Sequence, residues 1–228
     1  MGDRTTRRLL AAGLAAPVLC VTAFTVLGAT RPGYDASRVF VSQLGIGEMG
    51  WLQAASFVIT GLLVVAFAVG LRRAVGLGPG STWGPRLVAL AGTGFVIAGL
   101  FTADPALGYP PGTPAGLTMN PSPTGMVHIQ GAFLVFGGLP AACVAFTRRF
   151  QAIGNRRWAA YSAVSGAGML VVFIAANVGA NGVAGLDGVA GLLQRIAIVI
   201  GLAWLAAFAA SLLRLEVPRP RRVLPQTR

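Results

Sequence analysis

The segment FVITGLLVVAFAVGLRR, residues 57–73, is an apolar run that ends abruptly in two arginines. Together with the residues before it, it forms an uncharged stretch over about 51–71, which as a helix is long enough to cross roughly 30 Å of hydrocarbon. A backbone in lipid has to pair its own polar groups, and a helix does so within one segment. The stretch therefore predicts a membrane-spanning α-helix with positive charge at one end.

Five more runs of this kind occupy residues 9–29, 86–103, 125–147, 158–178 and 191–213. The chain as a whole is 55% hydrophobic and 11% charged, whereas an ordinary soluble domain has roughly 25% charged residues. The expected fold is all-α. It is a polytopic membrane protein in which residues 1–228 form one domain, a bundle of six transmembrane helices, with a basic cytoplasmic tail over 214–228.

The arginines indicate the orientation of this bundle. All 18 basic residues are arginine, which is typical of a GC-rich genome such as that of an actinobacterium. Only Arg31, Arg38 and Arg195 lie on one side of the spans, and all the others flank the opposite side or follow the last span. Because basic residues collect in cytoplasmic loops, we expect a multi-pass protein of the cell (plasma) membrane with both termini cytoplasmic, N-in and C-in.

Charge and residue counts exclude several function classes. The net charge of +12 does not indicate a nucleic-acid partner, because the arginines form short clusters between apolar runs and not one basic face. A catalytic zinc site in a helical bundle needs about three protein ligands, and the chain has a single histidine. We expect no metal, no cofactor and no nucleic acid, and the lipid bilayer is the expected partner.

Most acidic residues lie on the side of the spans opposite most arginines. The loops on that side are the longer ones, at about 30–50, 104–124 and 179–190. In LFTADPALGYPPGT, residues 100–113, we expect Asp104 to close the third span, with Pro105 ending the helix. Asp104, His128 and Arg195 should lie at similar depths, so the Asp104 carboxylate is expected to face Arg195 or His128. The cluster is extended by Gln194, Asp187 and Gln53. Alternatively, these side chains are separate, solvated or hydrogen-bonded interface residues.

Three stretches together resemble a known family: YDASRVFVSQLGIGEMGWLQAASFVITGLL (34–63), GLFTADPALGYPPGTP (99–114) entering GMVHIQGAF (125–133), and GLLQRIAIVIGLAWLA (191–206). They are similar to the bacterial six-span integral membrane family called domain of unknown function 998 (DUF 998). The resemblance implies a membrane protein with no assigned activity. The positions it marks as family-typical are Ser42, Gly45, Trp51, Asp104, Pro105, His128, Gln194 and Arg195.

A fainter similarity links VSQLG (41–45) and VHIQGAF (127–133) to the DRAM, Sfk and Frag group of six-span proteins. Gln43 stands where that resemblance would lead us to expect an acid.

The function with the fewest requirements is a binding or scaffold protein with an outward-facing polar pocket. Its ligand would be a small molecule or a lipid at the outer face. A small proton-coupled transporter is the alternative, because aspartate and histidine are common relay residues. A membrane-embedded enzyme comes third: Ser42, His128 and Asp104 have no nucleophile-elbow context, and no catalytic residue is assigned. The sequence is compatible with both a monomer and a homo-oligomer.

The orientation is testable with reporter fusions. A reporter that works only in the cytoplasm should be active when it is fused after Arg73, Arg149 or Arg228, and inactive after Gly112 or Gly185, because the arginine-flanked loops are retained inside. Reporter activity in whole cells, normalised to the amount of fusion protein, is the measurement. Activity after Gly112 would reverse the orientation.

Overall fold

The computed structural model describes residues 3–183 and 185–215. Within these residues the chain forms six α-helices: α1 Arg4–Thr30, α2 Gly50–Ala74, α3 Trp83–Leu100, α4 Pro123–Ala152, α5 Arg156–Ala180 and α6 Ala190–Leu215. All six are long and apolar enough to cross a membrane. The predicted all-α, six-helix fold is confirmed, while the predicted tail beyond residue 215 lies outside the described residues.

The helices form a ring in chain order. Each one packs against the next in sequence, and α6 closes the ring by packing against α1. Consecutive helices run in opposite directions, so the loops gather at two ends. The arginine end comprises residues 4–8, 72–86, 148–157 and 214. The cap, at the other end, comprises residues 31–49, 101–122, 181–183 and 185–189.

Glycines set the distance between α2, α3 and α4. A Cβ atom at Gly61 would lie 2.5 Å from the carbonyl oxygen of Gly92, and one at Gly94 would lie 2.5 Å from that of Gly131. Lipid gives apolar helices no hydrophobic reason to associate, so close backbone approach and its van der Waals contacts must hold them together. These three helices therefore form the tightly packed side of the ring.

An aromatic cluster fills the bundle toward the arginine end. Its members are Phe146, Phe150, Trp158, Trp204 and Phe208. The Phe146 and Phe208 rings meet edge to face with centroids 4.7 Å apart. Trp204 is fully buried, and its indole N–H donates to the Ser162 hydroxyl at 3.0 Å. The polar end of the largest side chain is thus paired inside an apolar environment.

The cap has a small core of its own. Val39, Phe40, Ala106, Leu107 and Tyr109 are buried together. They pack against three alanines of α5 and α6, which are Ala176, Ala180 and Ala190. A short 3-10 helix, Val41–Gly45, continues from this cluster toward α2. The cap is therefore attached to the bundle through apolar contacts and not only through its chain connections.

The third span ends earlier than its sequence indicates. The apolar run extends to residue 103, but α3 ends at Leu100 and Phe101 is extended, with φ −116° and ψ 120°. Asp104 therefore lies beyond the helix and does not close it, and Pro105 is not what ends it. The physical reason is that a ring nitrogen of His128 bonds the Ala98 and Phe101 carbonyls, which takes the place of a further helical turn.

Two glycines of α4 offer a matched test of the close packing. Gly131→Ala should lower the free energy of unfolding by roughly 1–3 kcal/mol, because its Cβ would lie 2.8 Å from the Gly94 carbonyl oxygen. Gly137→Ala has open space around its Cβ and should be neutral or stabilising by up to about 1 kcal/mol. Unfolding in mixed detergent micelles measures both. Equal effects would show that the α3–α4 contact is not set by Gly131.

Candidate functional site

A cavity of about 670 Å³ lies inside the ring at the cap end. Its walls come from α2 to α6, and the cap residues 40–43, 103–106 and 117–121 cover it. Its size falls within the roughly 300–1,000 Å³ of small-molecule pockets. Most of the lining is apolar, with phenylalanines on every wall from α2 to α5: Phe57, Phe95, Phe133, Phe136 and Phe173.

The cavity reaches the outer surface of the bundle between α4 and α5. Ile129 and Phe133 on α4 and Ile174 on α5 all line it, yet they are 41%, 60% and 53% exposed. Farther in, the Phe136 and Phe173 rings stack across the same two helices with centroids 3.7 Å apart. Exposed apolar residues on membrane-spanning helices face the bilayer, so this opening is lateral. The exposed cap residues Thr118, Asn181 and Val183 also line the cavity, which therefore opens at the cap as well.

Among the residues that the structure describes, the polar side chains of the cavity lining all lie near the cap. They are Ser42, Gln43, Asp104, Thr118, His128, Asn177, Asn181 and Gln194. His128 and Gln194 lie about one turn inside α4 and α6, and Asn177 lies one turn before the end of α5. The cavity therefore has a polar end beneath the cap and an apolar body.

His128 joins α4 to the end of α3. Its Nδ1 atom lies 2.8 Å from the Phe101 carbonyl oxygen and 3.1 Å from that of Ala98. Both partners can only accept, so Nδ1 carries a hydrogen and donates it. In the neutral ring Nε2 is then an acceptor, on a buried side chain that lines the cavity.

Asp104 is held at the N-terminus of α4. Its Oδ2 atom accepts from the backbone N–H of Ser122 at 2.9 Å, and the Ser122 hydroxyl accepts from the Gly125 N–H at 3.0 Å. A Cβ atom at Gly125 would overlap the carboxylate, so glycine makes room for it. A negative charge here is favourable because the first turn of a helix carries partial positive charge.

Gln43 holds the chain around Asp104 in place from inside the cap. Its Nε2 donates to the Asp104 carbonyl at 2.9 Å, and its Oε1 accepts from the Ala106 N–H at 3.0 Å. The side chain is 4% exposed. Since it donates and accepts at once, an amide suits this position better than the acid that the fainter family resemblance leads us to expect.

Gln194 fastens the start of the 3-10 helix to α6. Its Oε1 accepts from the Val41 N–H at 2.8 Å, and the side chain is buried against the cavity. The neighbouring residue Ser42 is half-buried and also lines the cavity. Gln194, one of the residues of the predicted polar cluster, therefore lines the cavity.

Arg195 does not pair with Asp104, although the sequence led us to expect that it would. Its guanidinium donates to the carbonyls of Ala36, Val39 and Gly191 at 2.7–2.9 Å and to the Tyr34 hydroxyl. Among the described residues its hydrogen-bond partners do not include Asp104 or His128. The expected pairing of Arg195 with Asp104 is wrong because backbone carbonyls, which carry partial negative charge, satisfy this cation without a carboxylate.

Tyr34 completes the Arg195 cluster. Burial raises the pKa of its hydroxyl, and the nearby Arg195 charge opposes that rise. The hydroxyl lies 3.2 Å from the Val39 carbonyl and 3.1 Å from that of Phe40, to which it donates. The Tyr34 ring packs edge to face on Tyr109, with centroids 5.2 Å apart. The cluster thus holds two cap segments on α6, and neither Arg195 nor Tyr34 lines the cavity.

Two other predicted site residues also lie elsewhere. Asp187 is exposed and borders a separate surface pocket beside Arg38. Gln53 is fully buried within α2, where its Nε2 donates to the Ser56 hydroxyl at 3.2 Å. Of the six residues predicted to cluster, the structure brings together Asp104, His128 and Gln194.

The family-typical positions have different surroundings. Pro105 is exposed and its carbonyl accepts from the Thr118 hydroxyl at 2.9 Å. Trp51 is 63% exposed at the start of α2. The Gly45 carbonyl occupies the space that a Cβ atom at Gly50 would need, so the turn into α2 requires glycine at position 50. Pro105, Trp51 and Gly45 shape the cap, whereas Ser42 lines the cavity together with Asp104, His128 and Gln194.

The aromatic walls of the cavity, Phe133, Phe136 and Phe173, were not predicted as site residues. Their spans are apolar on every face, so nothing in their spacing distinguishes a cavity wall from a lipid-facing surface.

The sequence matches the family model described as "Protein of unknown function (DUF998)" over residues 14–211. Every residue that lines the cavity lies inside this range. No curated protein and no solved structure matches the chain.

The role of Gln43 can be tested by removing both of its hydrogen bonds. Gln43→Met keeps the length of the side chain but leaves the Asp104 carbonyl and Ala106 N–H without this partner, which should cost roughly 1–3 kcal/mol of stability. Gln130→Met, at an exposed site on α4, is the matched control and should change little. Thermal unfolding in detergent measures both. Equal melting temperatures would show that Gln43 does not hold the cap.

Proposed function

The chain belongs to the DUF998 family of proteins of unknown function, and from that premise we propose that it binds a lipid-like amphiphile in the cavity beneath the cap. As an integral membrane protein with six apolar helices, it would meet such a ligand in the bilayer itself. Binding needs only the cavity, its polar end and its opening. All three are formed by residues that the structure describes.

The observation that carries this proposal is the lateral opening between α4 and α5. Ile129, Phe133 and Ile174 are exposed on the outer surface and line the cavity at the same time. An amphiphile could move from the bilayer into the cavity with its chain in apolar surroundings throughout. Its head group would end beneath the cap, beside the polar residues. This arrangement favours a lipid-like ligand over a water-soluble one.

The proposal includes an orientation. The arginine end carries Arg72, Arg73, Arg148 and Arg149 in the last turns of α2 and α4 or close to them, which supports a cytoplasmic location for that end. The cap would then face outward, and the ligand would come from the outer leaflet of the cell membrane.

Transport receives less support from the same molecule. The aromatic cluster around Trp204 fills the bundle between the cavity and the arginine end, so a path through the protein would require this cluster to separate. A binding protein needs no such movement. An enzymatic role would need a reaction centre, and one oxygen of Asp104 and one nitrogen of His128 are already used to hold the cap and α3.

Photolabelling tests the proposal directly. Palmityl alcohol with a diazirine on its chain should crosslink to residues 129–136 of α4 and 173–178 of α5 when the purified protein is in phosphatidylcholine nanodiscs. Ala132→Phe places a large side chain in the cavity and should lower labelling of these peptides by at least about tenfold, equivalent to roughly 1.4 kcal/mol. Peptide mass spectrometry measures the labelling.

Ala167→Phe is the matched control, because Ala167 is exposed on α5 and does not line the cavity. It should label like the wild-type protein. Labelling spread evenly over all the lipid-facing surfaces, and unaffected by Ala132→Phe, would reject a binding cavity.

A further inference from the structure

Resting on the proposed function, we infer that the head group of the ligand is a hydrogen-bond donor without negative charge, an amine or a hydroxyl and not a phosphate or carboxylate. The inference follows from the polar atoms that the cap leaves available and from the charges that surround them.

The polar end of the cavity offers two acceptor atoms without a partner in the described part of the chain, on His128 and Asp104, alongside the Gln194 amide N–H₂ and the Ser42 hydroxyl, which can donate. The His128 ring uses Nδ1 to bond the α3 carbonyls, which leaves Nε2 as an acceptor. Asp104 uses Oδ2 to accept from Ser122, and Oδ1 has no hydrogen-bond partner among the described residues. Both residues line the cavity. A head group that donates hydrogen bonds matches these two atoms, and the charge of the lining decides against an anionic group that the Ser42 and Gln194 donors could otherwise bind.

The charges of the residues that line the cavity also indicate a head group without negative charge. Asp104 is the only carboxylate among the lining residues, and no arginine lines the cavity in the described part of the chain. Arg195, the nearest candidate by sequence, bonds carbonyls and the Tyr34 hydroxyl and does not line the cavity. An anionic head group would therefore be buried beside a carboxylate without a cation, which is strongly unfavourable.

The N-terminus of α4 is a further feature that attracts anions, and Asp104 already occupies it. Helix N-termini bind phosphates through free backbone N–H groups. Here the Ser122 N–H donates to the Asp104 carboxylate, and the Gly125 N–H donates to the Ser122 hydroxyl. The Asp104 carboxylate thus occupies the position of a bound anion at this helix end, and a phosphate would have to displace it.

An amine should gain more than a hydroxyl. A protonated amine donates to Asp104 as a charge-assisted hydrogen bond, which is stronger than a neutral one. A hydroxyl head group keeps the hydrogen bonds without the charge. The expected order of affinity is therefore amine, then alcohol, then phosphate, for ligands with the same chain.

Competition against the diazirine probe tests this order. Palmitylamine, palmityl alcohol and palmityl phosphate have the same chain and differ only in the head group. In phosphatidylcholine nanodiscs the amine should compete at a concentration at least about tenfold lower than the phosphate. Asp104→Asn should remove most of the advantage of the amine over the alcohol. Asp187→Asn, an exposed acid outside the cavity, should leave the order unchanged and so controls for surface charge.

The outcomes separate the two proposals. Phosphate competing as well as the amine would overturn the head-group inference, while the effect of Ala132→Phe on labelling would still support the binding cavity. Failure of all three compounds to compete, together with no effect of Ala132→Phe, would reject the proposed function itself. The wild-type ranking decides the head-group question even if Asp104→Asn does not fold.

Discussion

Backbone groups that leave a helix near hydrocarbon need partners, and the whole cap end depends on how this protein supplies them. Arg195 bonds three carbonyls, His128 bonds two at the end of α3, and Gln43 bonds a carbonyl and an N–H around Asp104. Unpaired, each group would cost several kcal/mol in lipid. Polar residues that look like a reaction centre in the sequence are therefore used first to let the chain turn.

The polar end of the cavity is formed by the side-chain atoms that these hydrogen bonds do not use. His128 uses one of its two ring nitrogens to donate to a backbone carbonyl, and Asp104 uses one of its two carboxylate oxygens to accept from a backbone N–H. The remaining atoms meet a cavity whose other walls are apolar. The structural hydrogen bonds and the proposed binding role thus share the same side chains, which means that a variant at either residue has to be checked for folding before its effect on binding is interpreted.

The position of the cavity follows from the sizes of the residues between helices. On the α2–α3–α4 side, glycines such as Gly94 and Gly131 bring backbones into contact. Between α4 and α5 the contacts include the large rings of Phe136 and Phe173. Large rings hold helix axes apart and leave irregular space beside them, whereas paired glycines leave none. A ring of six helices with one tight side and one bulky side encloses space on the bulky side.

The sequence by itself determined the membrane class, the six helices and the separation of most arginines from the longer loops, because each depends on local composition along one chain segment. It also indicated that Asp104, His128 and Gln194 lie near one end of the bundle. Only the tertiary structure decided that these three share a cavity while Arg195, Asp187 and Gln53 do not, and that α3 stops at Leu100. The physical reason is that spans which are apolar all round carry no signal for their rotation, so sequence gives the depth of a side chain but not the neighbour it faces.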